Sequence, residues 1–184
     1  MKYENINQKM LEMKDEIFAS IKESVAIESV KGEPKENAPY GEGPKAALDH
    51  ALALGEKLGF KTGNLDNRIG WVEYGEGEEI AAVLGHLDVV PLGEGWDYDP
   101  LGCEIHDGKM YGRGVLDDKG PTIAAIYALK AIRDLGLPID RRIRVMIGTD
   151  EENGSSCVKH YVESDEEMPA IGFTPDADFP VIFF

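Results

Sequence analysis

Basic residues are scarce in this chain. Its 184 residues hold 19 Lys and Arg against 35 Asp and Glu, a formal net charge of −16 at pH 7. That balance argues against nucleic acid or an anionic membrane surface as a partner, because phosphate recognition draws on clustered positive charge. Cysteine is nearly missing too: Cys103 and Cys157 cannot build a disulfide framework, which points to a reducing compartment. No apolar run approaches the ~20 residues of a membrane-spanning helix, and the opening MKYENINQKM lacks the apolar core of a signal peptide. The expected location is the cytoplasm. Repeats and low-complexity tracts are absent as well. What is present suits one globular domain with a full core, at 42% hydrophobic and 8% aromatic residues. Most of the acidic excess reads as a solubilising surface, although a cation site built from carboxylates would contribute to it.

Periodicity divides the chain into alternating elements. Met10, Met13, Ile17, Ile21 and Val25 recur at three- and four-residue steps and predict an amphipathic helix over residues 5–27, its stripe serving as core packing. Residues 31–44 carry three prolines and three glycines, a loop. A second helix is expected over 44–58, with Leu48, Leu52 and Leu54 inward and Gly59 as its stop. Short strands follow near 60–65, 69–74 and 79–84, and Gly75-Glu76-Gly77 reads as a hairpin between the last two. Residues 91–102 form a loop anchored by Trp96 and Tyr98, and Asp107-Gly108 turns a further hairpin, 103–106 against 109–112. A helix over 121–135 opens on Pro121, a residue suited to a first helical turn. A buried strand over 141–148, a helix over 156–163 and a strand over 170–173 complete the pattern. Strands alternating with helices predict an α/β fold, a mixed and largely parallel sheet with helices on both faces. The apolar end 179–184 looks like a strand interrupted mid-course, so the sequence reads as the front part of something longer, an α/β domain incomplete at its C-terminus.

Four polar clusters each follow a predicted strand: His86/Asp88, Asp117/Asp118, Glu151/Glu152 and Asp176/Asp178. Sites in open α/β sheets gather at the carboxyl ends of strands. In Gly85-His86-Leu87-Asp88, side chains two apart share a face, so Asp88 can hold one ring nitrogen of His86 and leave the other for a metal. A plainer reading makes Asp88 a cap or turn residue, and in isolation the glutamate pair reads as a solvated turn. One imidazole with several carboxylates suits zinc, manganese or cobalt. His50 reads as a surface or packing residue, His160 as a structural one and His106 as an exposed strand residue.

Taken together, GHLDVVP, GRGVLDDKG, GTDEENGS and TPDADFP resemble the zinc-dependent aminoacylase, carboxypeptidase and dipeptidase family. WDYDPLG and TPDADFPV are most similar to its carnosinase-like, PepV-type bacterial dipeptidase branch. The resemblance covers nearly all of residues 5–184 and implies two divalent metal ions, zinc first and manganese or cobalt as alternatives. It further implies that His86 binds one metal with Asp88 orienting it, that Asp117 bridges both, and that Glu152 binds the second while Asp176 completes the first. Glu151 would be the general base that takes a proton from the attacking water and returns it to the leaving amine. A cis Asp117–Asp118 peptide is expected, and Asp178 has no assigned role. The substrate would be a dipeptide, or alternatively an N-acyl amino acid or other small amide. The family's distal histidine ligand and its lid domain, which mediates homodimers in many members, have no counterpart in residues 1–184. By that reading this polypeptide alone is inactive or poorly folded, or is a non-catalytic metal-binding fragment.

Overall fold

The computed structural model describes residues 4–176. It opens with two helices, α1 (Glu4–Glu12) and α2 (Lys14–Val25), where the periodicity predicts one. The division falls at Met13, whose N–H reaches the carbonyls of both Lys9 and Met10, a local tightening of the helical ladder. Met13 is fully buried, whereas α1 has no fully buried residue and packs on the core only through the partly buried Ile6 and Met10. Next comes α3 (Glu42–Lys57). Its end is a Schellman motif: Gly59, at φ +84°, donates to Glu56, and Phe60 donates to Gly55.

The strands are β1 (Lys61–Leu65), β2 (Ile69–Tyr74), β3 (Ile80–His86), β4 (Glu104–His106) and β5 (Lys109–Tyr111). After them come α4 (Lys119–Asp134), β6 (Arg142–Gly148), α5 (Ser156–Val162) and β7 (Ile171–Phe173). Five strands form one sheet in the order β1-β2-β6-β3-β7, and β4 and β5 form the separate hairpin expected around Asp107-Gly108. The β1–β2 and β2–β6 ladders are antiparallel, while β6–β3 and β3–β7 are parallel. This is the expected mixed sheet. The hairpin is misplaced in the sequence reading, however. β2 and β3 are not paired; β6 lies between them, and the true hairpin is β1–β2, turned by Asp66 and Asn67 in the left-handed region that Asp and Asn tolerate. The glycines at 75 and 77 instead release the chain from β2 so that it can re-enter beyond β6.

Alternation along the strands feeds two cores. Val72, Val145 and Ile147 face α2, α3 and α4 with Val25, Leu48, Ile123 and Ile126. Ile69, Ala82 and Met146 face the other way, against Cys157 and Tyr161 of α5. Helices therefore cover both faces, as period-two alternation in a doubly covered sheet requires. A buried ion pair crosses the β2–β6 ladder on the α5 face, with Arg144 Nε donating to Glu73 Oε2 at 2.8 Å and Nη1 donating to the Tyr161 hydroxyl at 2.8 Å. The edge strand β7 leaves Ile171 and Phe173 exposed. Among the described residues no helix is long and apolar enough to cross a membrane. The apolar segment 179–184 and Asp178 lie outside the described residues.

Candidate metal centre

The two parallel ladders place the carboxyl ends of β6, β3 and β7 side by side. Segments 86–88, 149–152 and 174–176 therefore meet at one end of the sheet, and Asp117-Asp118 joins them from the start of α4, the helix of the β3-to-β6 crossover. The Leu87 N–H donates to Gly148 O at 3.0 Å, extending the register past the strands themselves. Gly85 is required at its position. A Cβ there would stand 2.2 Å from Thr122 Oγ1 and 2.6 Å from Asp118 Oδ2, so only a bare backbone lets α4 approach β3 this closely.

His86 is buried, and its ring carries two different environments. Nδ1 lies 3.0 Å from the main-chain oxygen of Asp88 and 3.4 Å from its Oδ1, so the Nδ1–H donates there. Nε2 faces carboxylates: Asp117 Oδ1 at 3.0 Å, Asp176 Oδ2 at 3.7 Å and Glu151 Oε2 at 3.8 Å. Asp88 has a further task. Its Oδ1 accepts the Glu151 N–H at 3.0 Å and its Oδ2 the Glu152 N–H at 3.1 Å, which ties the glutamate turn to the end of β3. The Asp117–Asp118 peptide is cis. His50, His106 and His160 each pair with a carboxylate of their own (Glu23, Glu104 and Asp66) and, among the described residues, join no cation-binding group.

All the shifts at this site reflect burial amid negative charge. Burial alone would lower the His86 pKa, but Asp88, Asp118 and Glu151 raise it to about 10. Burial raises Asp118 to about 7, against the pull of His86 and two hydrogen bonds. Burial also raises Glu151 and Glu152, and neighbouring carboxylates, Asp176 and Asp117 respectively first among them, push in the same direction.

Two sets of donor atoms lie within 4.8 Å of one another: His86, Glu151 and Asp176, and His86, Asp117 and Glu152. Donors of a tetrahedral zinc with bonds of about 2.0–2.2 Å stand about 3.3–3.6 Å apart. The Nε2–carboxylate separations of 3.0–3.8 Å bracket that span. An imidazole nitrogen with carboxylate oxygens is also a donor set for a borderline divalent cation. The residues present fit the metal. The six residues to which the resemblance gives roles, His86, Asp88, Asp117, Glu151, Glu152 and Asp176, therefore meet here, and by distance alone Glu151 stands as near Nε2 as Asp176 does.

A profile of the peptidase family M20/M25/M40 matches residues 82–183, more than half of the chain. The chain belongs to this family. Its relatives match nearly all of it. A Bacillus subtilis (strain 168) protein named "Putative dipeptidase YtjP" is 49% identical over 180 residues, 97% of this chain and 39% of the relative. A protein of Staphylococcus epidermidis (strain ATCC 12228) with the same general name is 44% identical over 95% of this chain and 38% of its own length. The chain thus spans about two fifths of the length of these relatives. Among solved structures, human carnosine dipeptidase 1 superposes with a TM-score of 0.74 at 29% identity, over 87% of this chain and 37% of that one. An M20 metallo-carboxypeptidase of Sulfolobus solfataricus gives 0.69 at 24% identity, over 80% and 34%, a likeness of fold.

The sequence reading gave Asp118 no role beyond its cis peptide bond and did not single out Lys119 or Ser29. Asp118 is fully buried, and its Oδ2 accepts the His86 N–H at 3.1 Å and the Thr122 hydroxyl at 3.0 Å. Lys119 is equally buried. Its ammonium donates to the carbonyls of Ser24 at 2.9 Å and Ile27 at 2.6 Å, closing the end of α2, and burial lowers its pKa to about 8. Ser29 donates to Leu87 O at 2.5 Å and brings the loop after α2 alongside the His86 segment. The only available signal for the first two was the run Asp-Asp-Lys-Gly ahead of a helix, where a charged group caps or closes a neighbouring end.

Proposed function

We propose that this chain carries the metal-binding face of a hydrolase that cleaves dipeptides with two divalent cations, zinc by preference. The observation that carries the proposal is the convergence of Asp117, Glu151 and Asp176 on the buried Nε2 of His86. His86 and Asp176 would hold the first cation, Asp117 would bridge, and Glu152 would hold the second. When bound, such cations polarise a carbonyl and bring the pKa of a coordinated water toward neutrality. Asp88 fixes the direction of the His86 ring and the height of the glutamate turn. Glu151, whose carboxylate is raised in pKa and half-exposed at the mouth of the cluster, would accept the proton of the attacking water and return it to the leaving amine. A dipeptide is favoured over an N-acyl amino acid because the similar proteins are named dipeptidases.

One observation favours a narrower reading for these 184 residues by themselves. Nε2 of His86 can serve one cation only, so the second position keeps just Asp117 and Glu152 among the described residues. The expected behaviour is one firm and one weak site, with little or no turnover. Calorimetric zinc titration tests this directly, with His86→Ala removing the firm site. No zinc uptake by the wild-type chain would end the metal reading. Wherever hydrolysis of a dipeptide is measurable, Glu151→Ala should abolish it while sparing the metal. Turnover by that variant at a near wild-type rate would remove Glu151 from its role.

A further inference from the structure

The strand that leads to the glutamates, β6, ends at Gly148 and is followed by Thr149-Asp150, and Asp150 is fully buried with an unusual set of partners. Its Oδ1 lies 2.7 Å from the Lys31 ammonium, and its Oδ2 accepts the hydroxyl of Ser156. A carboxylate only accepts, so the one proton of Ser156 is committed to it. The Ser156–Tyr40 contact at 2.9 Å must then be donated by the Tyr40 hydroxyl, whose oxygen in turn accepts from Arg68 at 3.2 Å. The result is a directed chain from Arg68 through Tyr40 and Ser156 to Asp150, with Lys31 closing on the other oxygen. Lys31 and Arg68 both sit by the Tyr40 ring, 5.3 and 5.4 Å from its centre.

Lys31 is placed by the active segment itself. Ser29 bonds to Leu87 O, the Val89 N–H returns to Ser29 O at 3.2 Å, and Val30 bridges Val89 in parallel. The loop after α2 is therefore bound to the His86–Val89 segment on one side and, through Lys31, to the glutamate turn on the other. The turn has two anchors. Asp88 holds the N–H groups of Glu151 and Glu152, and Asp150 holds the root of the same turn, its carbonyl accepting the Ser155 N–H at 2.8 Å.

We infer that Lys31 and Asp150 are positioning residues that set the Glu151–Glu152 turn at the height where both carboxylates meet the metal-binding cluster. Neither touches substrate or cation; both act through the backbone of the turn. This inference rests on the metal reading above, and its test keeps the two apart. The single variant Lys31→Met would strand a buried charge, so the charge-neutral pair Lys31→Met/Asp150→Asn is the decisive form, with Lys31→Arg as the conservative rescue and Leu54→Ala in α3 as a control for general destabilisation. In the metal-free chain, amide exchange at Gly154 and Ser155 should quicken at least tenfold in the double variant and remain near wild type in Lys31→Arg and Leu54→Ala. On addition of cobalt(II), the wild type, Lys31→Arg and Leu54→Ala should share one visible absorption spectrum, and the double variant should bind at least tenfold more weakly with an altered band. Wild-type exchange and cobalt affinity in the double variant would overturn the inference. If the wild-type chain takes up no cobalt, the metal reading fails, and the exchange measurement alone decides whether the pair holds the turn.

Discussion

Cation binding at this site should expel a proton, and the structure sets its size. In the metal-free chain His86 is held protonated by Asp88, Asp118 and Glu151, which bring its pKa to about 10 despite burial. A metal needs the neutral ring. At pH 7 the proton must be displaced about three units below that pKa, a cost of about 4 kcal/mol at about 1.36 kcal/mol per unit. Apparent zinc affinity should therefore rise about tenfold per pH unit between 6.5 and 8.5, with close to one proton released from His86 per cation. The proton count follows from calorimetry of the same titration in buffers of different ionisation enthalpy, and the ring itself is visible by NMR in the metal-free chain. Two results would refute the reasoning: a His86 titration near 6.5 without metal, or zinc binding at pH 8 that releases no proton.

The same groups set the pH dependence of stability. His86 and Asp118 both have folded pKa values above their ordinary ones, about 10 and about 7. The folded state then binds more protons than the unfolded one. Their contribution is complete below about 6.5 for His86 and about 3.8 for Asp118, and it fades as pH rises through 10 and 7 respectively. Thermal unfolding of the metal-free chain should accordingly move to lower temperature from pH 6 to pH 9, and saturating zinc should reverse the trend; a flat or rising profile would contradict it. Gly85→Ala places a methyl 2.2 Å from Thr122 Oγ1 and should cost about 1–3 kcal/mol as α4 is pushed from β3. It should also weaken zinc binding through Asp118, and urea unfolding with the zinc titration reads both effects.

What the sequence discloses, and what it withholds, follows from the range of the forces involved. The helices over 44–58, 121–135 and 156–163 were legible because each is a local pattern of apolar steps with a local stop. Gly59 and Gly136 close α3 and α4 in left-handed turns that bond back within one helical turn. The insertion of β6 between β2 and β3 was not legible. It depends on pairing Ile69–Tyr74 with Ile143–Gly148, partners about seventy residues apart, and no local signal records that. The site divides in the same way. His86, Asp88, Asp117, Glu151, Glu152 and Asp176 stand in motifs whose wording marks them, whereas Asp118, Lys119, Lys31 and Asp150 look like ordinary loop charges until burial is known. Asp150 is fully buried while its neighbour Glu151 stays partly exposed, and the turn that follows β6, not any local pattern in the sequence, separates the two.

Charge supplies the last step of the argument for a cation. His86, Asp118, Glu151 and Glu152 are all shifted upward, so each binds a proton more readily than it would in water. A cluster with that signature holds more negative charge than its burial can support. A protein can relieve it with its own cations, and two lie close by. Lys119, however, spends its ammonium on the carbonyls that end α2, and Lys31 spends its own on Asp150. Among the described residues neither reaches Asp117, Glu151, Glu152 or Asp176 through a salt bridge, and the one positive group that does is the ring of His86. A lysine at the mouth of the cluster would have neutralised it at small cost. The fold instead turns both lysines toward the scaffold and leaves the carboxylates facing one imidazole, which is the arrangement expected when the balancing charge arrives from outside the chain.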